Sequence, residues 1–216
     1  MKKIYLSLTF LSSCAALLLS GCSTDSSMDF YDKLEEHATY EQDATTLAES
    51  RSRKDEISVN TYQAVLDAGA EEIKRSQNER EELMALNEER SSLLEQEQSL
   101  RREAFAKLDI QELKDYVAEL ETGPKREGSR VIEVIEQREQ AFTTFVKQYT
   151  ASMNAEEKLL SYLTEKPNFV KIDEATADLN RTTRQATATL NDFNRLTARY
   201  NELKPAFYKE VGLNIK

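Results

Sequence analysis

Glycine and proline are scarce in this chain, and that scarcity limits its possible folds more than any other feature. The 216 residues include five glycines and three prolines. β-Sandwiches and barrels need one of these residues at most of their tight turns, which argues against an all-β fold. Charged residues make up 31% of the chain and apolar residues 39%, a balance typical of long amphipathic helices rather than of a disordered chain. The formal net charge of −10 also argues against sequence-independent binding to nucleic acid, which requires lysine and arginine.

The first 21 residues have the pattern of a secretory signal. Two lysines at positions 2–3 precede an uncharged run that ends at Gly21 and is apolar in its centre. At roughly 18 residues this run could also just span a bilayer, so a retained anchor helix is the alternative.

Four residues decide between these alternatives: Leu19, Ser20, Gly21 and Cys22. They resemble the lipobox of bacterial lipoproteins and therefore favour a cleaved signal. The resemblance implies that the chain is cut before Cys22, that the cysteine thiol carries diacylglycerol, and that the new amine is open to acylation. No other cofactor is expected. Because two or more lipid chains hold a protein stably at a membrane, we expect the lipid bilayer as a partner, at the outer face of the cell membrane.

The lipobox divides the chain into three expected parts. Residues 1–21 form the signal peptide, residues 22–27 the lipidated cysteine with a short polar tether, and residues 28–216 one helical domain. Cleavage removes two lysines, so the formal net charge falls from −10 to −12. It also removes Cys14, which leaves Cys22 without a disulfide partner in the mature chain.

Apolar residues recur at three- and four-residue spacing along the expected domain, which predicts four long helices and one short helix. The predicted bounds are Ser27 (as a cap) to about Gly69, 70–108, a short helix from the cap Asp109 to about 121, 126–165 and 172–208. The predicted buried faces are Phe30, Leu34, Ala38, Ala44, Leu47, Ala48, Ile57, Val65 and Leu66; Ile73, Leu83, Leu86, Arg90, Leu93, Leu100, Ala104 and Leu108; Val131, Ile135, Arg138, Phe142, Phe145, Tyr149, Met153, Leu160 and Leu163; and Ile172, Ala175, Leu179, Ala186, Leu190, Phe193, Tyr200 and Phe207.

Short connections between long helices force neighbouring helices to alternate in direction. The predicted fold is therefore all-α: an elongated antiparallel, up-and-down four-helix bundle, coiled-coil-like, that follows the cleaved lipoprotein signal peptide. A helix of about 40 residues spans about 60 Å. Gly123-Pro124 either ends the short helix or kinks a continuous one, and Pro205 either kinks or ends the last helix. The pairs Glu71–Arg75 and Glu97–Arg101 are expected on the polar faces, each stabilising its helix by a few tenths of a kcal/mol.

Catalytic and metal-binding patterns are missing from the sequence. Ferritin-like bundles bind metal through two Glu-x-x-His motifs, whereas this chain has one histidine, His37, with Leu34 three residues before it. His37 is therefore expected at the surface or in a helix seam. No nucleophile motif or glycine-rich phosphate loop is present. Adjacent glutamates on a helix point about 100° apart and are interpreted as a solvated face; the pairs are Glu35-Glu36, Glu71-Glu72, Glu81-Glu82 and Glu88-Glu89. The sequence predicts a non-enzymatic protein with no catalytic residues and no metal.

Four tyrosines lie off the predicted apolar faces: Tyr31, Tyr40, Tyr162 and Tyr208. A tyrosine ring can stack on a sugar, or it can lie in an interface with its hydroxyl group hydrated. These four are the candidates for recognition, and partial burial in the core is the favoured alternative.

Short motifs at both ends of the chain carry a further resemblance. They are the lipobox at Cys22, the opening Phe30-Tyr31-Asp32-Lys33-Leu34-Glu35, Tyr62 before Leu66 and Gly69, and the ending Tyr200-Asn201, Phe207-Tyr208-Lys209 and Gly212-Leu213. With these motifs the chain resembles the YkyA-like family of cell-wall-binding lipoproteins of Gram-positive bacteria. The resemblance implies a four-helix bundle with peptidoglycan or other wall material as its partner, and it brings no ligand residues. A scaffold that docks an envelope protein partner is the alternative, and nucleic acid is not an expected partner.

Overall fold

A computed structural model of the chain describes residues 24–68, 77–164 and 167–213. All regular structure among these residues is helical, which confirms the predicted all-α class. The helices are α1 (Thr24–Ala68), α2 (Gln77–Leu108), α3 (Ile110–Glu119), α4 (Thr122–Tyr162) and α5 (Phe169–Glu210).

Several helix ends differ from the predicted ones; α4, for example, begins at Thr122 rather than at 126 and ends at Tyr162 rather than at 165. α1 begins at Thr24, three residues before the predicted cap Ser27. α5 begins at Phe169, because the Asn168 side chain accepts a hydrogen bond from the backbone N–H of Lys171 at 3.2 Å and caps the helix there. α5 also continues through Pro205, which does not end it.

The chain forms two separate helices, α3 and α4, rather than one kinked helix. Asp109 caps α3 as predicted, accepting hydrogen bonds from two backbone N–H groups at 3.1 Å each. α3 ends at Glu119, and α4 begins at Thr122. Pro124 therefore lies in the first turn of α4, where its missing N–H has no acceptor within the helix.

The long helices form two hairpins, α1 with α2 and α4 with α5. In each hairpin the partner's residue number falls as the residue number rises, so the two helices run in opposite directions. The contacts are Glu41 with Arg101 and Arg51 with Glu97 in the first hairpin, and Arg138 with Thr197 and Ser152 with Thr183 in the second. α2 packs on α4, and α3 packs on both α1 and α4.

We call the end of the molecule where α1 begins and α5 ends the near end. Apolar side chains pack together there and are buried. Phe30 and Phe207 are both fully buried and meet edge to face, with ring centroids 4.7 Å apart. The near-end core consists of Phe30, Leu34, Leu108, Leu113, Val117, Leu120, Val131, Ile132, Val134, Ile135, Tyr200, Leu203, Phe207 and Tyr208. The opposite end, where α1 ends and α5 begins, is called the far end.

A second, aromatic core lies further along the helices. Its members are Leu94, Phe142, Phe145, Tyr149, Met153, Ala186 and Phe193. The predicted buried face of α4 is thereby confirmed from Val131 to Leu160, and Leu163 is half-buried.

The predicted buried faces of α1 and α2 need correction. Ile57 is 45% exposed, and Leu93 and Leu100 are half-buried. The faces turned inward carry His37, Arg51 and Ser58 on α1, and Arg90, Leu94, Glu97 and Arg101 on α2. The structure does not describe the side chains of Val65 and Leu66, and Ile73 lies outside the described residues.

Candidate functional site

The predicted lipid-attachment residue Cys22, with the lipobox residues Leu19, Ser20 and Gly21, lies outside the described residues. α1 begins at Thr24. The Ser26 side chain is already buried and donates a hydrogen bond to the Glu119 carboxylate of α3. The first turn of α1 is therefore fixed to the helical body just after Cys22.

Beside the aromatic core, the interior that α1 and α2 share with α4 is charged rather than apolar. Four arginines and four carboxylates from α1, α2 and α4 form one connected set of ion pairs, which we call the ionic core. Its members are Glu41, Arg51, Asp55, Arg90, Glu97, Arg101, Arg138 and Glu156. The set carries equal numbers of positive and negative charges, and along α1 it extends over about 20 Å at 1.5 Å per residue.

Glu41 organises the part of the ionic core closest to the near end. Arg138 of α4 contacts the Glu41 carboxylate at 3.2 Å, and Arg101 of α2 contacts it at 3.3 Å. Burial alone opposes the ionisation of Glu41, but its attraction to Arg138 and Arg101 outweighs that cost and holds the pKa of this carboxyl below its usual range. Glu41 therefore ties three helices together as a carboxylate.

Glu97 links this part to the rest of the network. Its side chain is 1% exposed and accepts hydrogen bonds from Arg101 at 3.0 Å and from Arg51 at 3.3 Å. The Glu97–Arg101 pair was predicted on the polar face of α2, and that placement was wrong. The two residues are four apart, as in a surface pair, yet both point into the interior because α2 turns this face toward α4.

Arg90 holds the part of the ionic core closest to the far end. It donates to Asp55 at 3.3 Å and to Glu156, which also accepts a hydrogen bond from Ser58 at 3.1 Å. Burial would lower the pKa of Arg90, but attraction to Glu156 more than compensates and raises it. The hydroxyl group of Tyr149, in the aromatic core, donates a hydrogen bond to Asp55.

Aromatic rings of α4 and α5 cover the guanidinium groups of Arg51, Arg101 and Arg138 in the ionic core. The central guanidinium carbon of Arg101 lies 4.9 Å from the ring centroid of Phe142 and 5.1 Å from that of Phe193. Arg51 lies over Phe145 and Tyr149 at 4.9 and 4.8 Å. Arginine can stack on an aromatic face while its N–H groups bind carboxylates. The two hairpins thus meet through arginine–aromatic stacking.

His37 lies in the seam beside Glu41 and is 4% exposed. Its Nδ1 atom is 3.9 Å from a Glu41 oxygen, too far for a hydrogen bond, and has no hydrogen-bond partner among the described residues. The Tyr200 hydroxyl group is likewise buried without a partner there. Burial lowers the pKa of His37. The Glu41 carboxylate opposes this shift, but the positive charges of Arg138, Lys204 and Arg101 add to it, so the imidazole is neutral at pH 7.

The ionic core stabilises the arrangement of the helices and is unsuited to acid–base chemistry. General acids and bases need a pKa close to the working pH and access to a substrate. All four carboxylates here are ion-paired with arginines, and the pKa of Glu41 is lowered. Among the described residues, no group of three or more His, Cys, Asp or Glu side chains could hold a metal ion.

One of the four candidate tyrosines, Tyr208, belongs to the near-end core, and a second, Tyr31, is half-buried and packs against that core. Tyr208 is 5% exposed, donates to Glu35 at 2.7 Å and packs edge to face against Tyr31 at 4.8 Å. Tyr40 and Tyr162 are half-buried, and a lysine Nζ atom lies over each ring, that of Lys107 at 4.0 Å and that of Lys171 at 5.4 Å. Partial burial, the favoured alternative, is thus what the structure places at these positions.

The acid pairs divide between solvent and partners. Glu35 is half-buried and accepts hydrogen bonds from Lys204 and Tyr208. Glu36 is exposed and accepts a hydrogen bond from Tyr40 at 2.9 Å, whereas Glu82 and Glu88 are exposed to solvent. Glu81 and Glu89 pair with Gln77 and Lys54, and the pair Glu71-Glu72 lies outside the described residues.

Large apolar side chains are exposed chiefly at the far end. Ile57, Val59, Met84, Phe169 and Val170 are between 45% and 68% exposed. Met28 is the one such side chain near the other end, among the residues whose burial is described. No described helix combines the length and apolar character needed to cross a bilayer.

The comparisons with known proteins define the class of this all-helical chain. A family model described as "YkyA: Putative cell-wall binding lipoprotein" matches residues 25–210. That match covers most of the chain, so the chain belongs to this family, and the resemblance drawn from the sequence motifs is confirmed. Comparisons with curated proteins and with solved structures gave no match.

Proposed function

We propose that this protein is a non-enzymatic lipoprotein anchored at the outer face of the cell membrane through Cys22, whose helical domain binds wall material or spaces the wall from the membrane. The family match over residues 25–210 carries the proposal, because the family description names both the lipid and the wall. That description refers to binding rather than to catalysis.

The geometry of the helices supports this proposal. The two hairpins are consistent with an elongated antiparallel four-helix bundle in which α1, α4 and α5 each exceed 40 residues. Helices of that length span about 60 Å. Because α1 starts two residues after Cys22, a lipid on that cysteine would place the near end at the bilayer and direct the far end outward.

Charge restricts the wall component that such a domain can bind. Teichoic acids are polyanions, and a domain with a net charge of about −12 repels them over roughly a Debye length, about 8–10 Å. Glycan or peptide groups of peptidoglycan, or wall polymers bridged by divalent cations, are the compatible ligands.

Co-sedimentation tests the binding proposal directly. Residues 23–216 are mixed with purified peptidoglycan, with and without teichoic acid and divalent cations. We expect saturable pelleting with peptidoglycan; a domain that stays in the supernatant under every condition contradicts wall binding. The anchor is tested separately with Cys22→Ala, which should accumulate as an unprocessed precursor without lipid. Mature, membrane-bound protein from that variant would overturn the anchor assignment.

A helical scaffold that docks an envelope protein is the second candidate function. The observation that favours it is the set of exposed apolar side chains at the far end, since such side chains often lie in protein interfaces. Phe169→Ser with Val170→Ser removes two of them without touching either core. If docking is the function, this variant loses a partner that is cross-linked to the wild type in intact cells, while its binding to peptidoglycan is unchanged.

A further inference from the structure

A groove of about 450 Å³ runs along the outside of the second hairpin, between α4 and α5. Its apolar floor includes Val134, Leu196 and Leu203, which are 5–9% exposed. The groove extends from Arg130 to Gln137 on α4, a length of about 10 Å, and it has the volume of a small-ligand site.

Both signs of charge line the rim of this groove. Three arginines stand along it: Arg130, Arg195 and Arg199, with side chains 43%, 69% and 43% exposed. Glu133 and Glu202 stand among them.

The arginines keep binding capacity in spite of their ion pairs. Arg130 donates to Glu127, Arg195 to Asp192 and Arg199 to Glu202, each across three residues of its own helix. A guanidinium group has five N–H donors, so one such bond leaves others that can reach a ligand. Exposed pairs of this kind contribute about 0–1 kcal/mol and are readily exchanged for a ligand carboxylate.

This alternation of charges selects the class of ligand. With Glu127 and Asp192 counted, the groove and its rim carry more negative than positive charge. A polyanionic chain of glycerol phosphate units therefore gains no net attraction. A short peptide that bears carboxylates and an amine can pair with both signs, and small side chains such as alanine methyl groups fit the shallow apolar floor. An extended peptide advances about 3.3 Å per residue, so the groove accommodates three or four residues.

We propose that the α4–α5 groove binds the peptide stem of peptidoglycan, with carboxylates on Arg130 and Arg199 and the amine on Glu133 or Glu202. This inference rests on the proposed function and specifies its ligand. Arg130 is eight residues from the start of α4, so the groove begins about 12 Å from the near end. With the anchor at Cys22, it would meet wall peptides close to the membrane.

Fluorescence anisotropy tests the groove with the full chain purified in detergent. The probe is an amino-terminally labelled pentapeptide of L-Ala, γ-D-Glu, L-Lys, D-Ala and D-Ala. We expect saturable binding that weakens about tenfold or more in Arg199→Gln, since a hydrogen bond to a charged group contributes about 1.5–3 kcal/mol. Arg181→Gln is the matched control, because Arg181 pairs with Asp178 on the same helix in the same way and lies outside the groove.

A second variant separates the groove from the arginine charge. Ala198→Trp fills the groove at an exposed position of α5 and should abolish binding, while Ala177→Trp, exposed on the same helix outside it, should not. Equal affinity of Ala198→Trp and wild type overturns the proposal. So does preferential competition by polyglycerol phosphate or by phosphatidylglycerol micelles over unlabelled pentapeptide.

The same variants distinguish this inference from the broader proposal. If wild type and Ala198→Trp pellet equally with whole peptidoglycan, wall binding stands and the groove is not its site. If neither pellets and the pentapeptide does not bind, both proposals fail.

Discussion

The near-end core and the ionic core solve the same packing problem with opposite chemistry. At the near end, α1, α3, α4 and α5 meet through side chains such as Phe30 and Phe207, which are completely removed from solvent. A few turns further along, α1 and α2 meet α4 through four arginines and four carboxylates. The apolar end gains stability from burial, which is non-directional. The ionic core gains little net stability after desolvation but specifies which residues face each other.

This difference separates stability from register in a long helical domain. Apolar seams with heptad-like spacing tolerate sliding, because one leucine replaces another at a similar cost. Glu41 and Glu97 each bind two arginines, and a shift of one helical turn would break the pairs that join different helices: Glu41 with Arg101, Glu41 with Arg138, and Glu97 with Arg51. We infer that the near-end core supplies most of the folding free energy, while the ionic core fixes the axial alignment of the hairpins.

The largest effect is expected in the near-end core. Phe207→Ala removes a fully buried ring that packs against Phe30, and such a cavity costs about 3–5 kcal/mol. The free energy of unfolding is measured by urea denaturation. Phe169→Ala is the control, because this ring is 63% exposed and its loss should change stability by less than about 0.5 kcal/mol. Equal effects of the two variants would contradict the described core.

Breaking and replacing an ion pair should have different costs in the ionic core. Arg90→Met leaves Glu156 buried with Ser58 as its remaining described partner, at a cost of about 3 kcal/mol. The double variant Arg90→Met with Glu156→Leu removes both charges and should recover most of that loss. Arg181→Met, which breaks an exposed pair with Asp178, should cost less than about 0.5 kcal/mol. A double variant no more stable than Arg90→Met alone would contradict this expectation, because removal of the stranded carboxylate would then recover nothing.

Alanine substitutions at two glycines, one inside the near-end core and one outside it, should have effects of intermediate size. A Cβ atom on Gly128 would lie 2.7 Å from a methyl carbon of Val117 and 3.3 Å from the Phe207 ring, inside the near-end core. We expect Gly128→Ala to destabilise the protein by about 1–2 kcal/mol, since overpacking outweighs the gain in helix propensity. On Gly123 the same atom meets the flexible end of the Glu210 side chain, which can move away. Gly123→Ala should therefore be neutral or slightly stabilising, and thermal unfolding midpoints compare the two.

The sequence was most informative where apolar residues repeat without interruption. The buried face of α4 is predicted correctly from Val131 to Leu160, because large apolar residues recur there at most helical turns. The break before Gly123-Pro124 was left open, since proline is compatible with both a kink and a first turn.

The ionic core was largely missed, although the sequence contained a signal for it. Arg90 and Arg138 occupy core positions in the apolar spacing of their helices, and Glu97 and Arg101 continue that spacing along α2. Reading Glu97–Arg101 as a surface pair followed from the general rule for charges four residues apart. Which carboxylate meets which arginine depends on contacts between helices, and one sequence does not encode those pairings in any local pattern. The groove between α4 and α5 also forms only where two helices pack together, so no local sequence motif predicts it.

The smallest effect, and the sharpest test of the seam, is the pH dependence that His37 adds. Glu41 of α1, Arg101 of α2, Arg138 of α4 and Lys204 of α5 surround this imidazole, and its burial lowers its pKa below the usual 6.5. Well above pH 6.5 the imidazole is neutral in both the folded and the unfolded chain, so it does not change the free energy of unfolding with pH. Below pH 6.5 the unfolded chain takes up a proton that the folded protein resists, so the free energy of unfolding falls, by at most about 1.4 kcal/mol per pH unit.

That fall ends at the lowered pKa of His37, and a second fall begins below about pH 4.5, where Glu41, whose pKa is also lowered, takes up a proton in the unfolded chain first. His37→Gln should remove the first decline and leave the second. Urea midpoints measured at intervals from pH 7.5 to pH 4 separate the two. If the urea midpoints of His37→Gln and wild type fall in parallel between pH 6.5 and pH 5, the histidine is not held neutral in the seam. That result would contradict the alignment of helices described around Glu41.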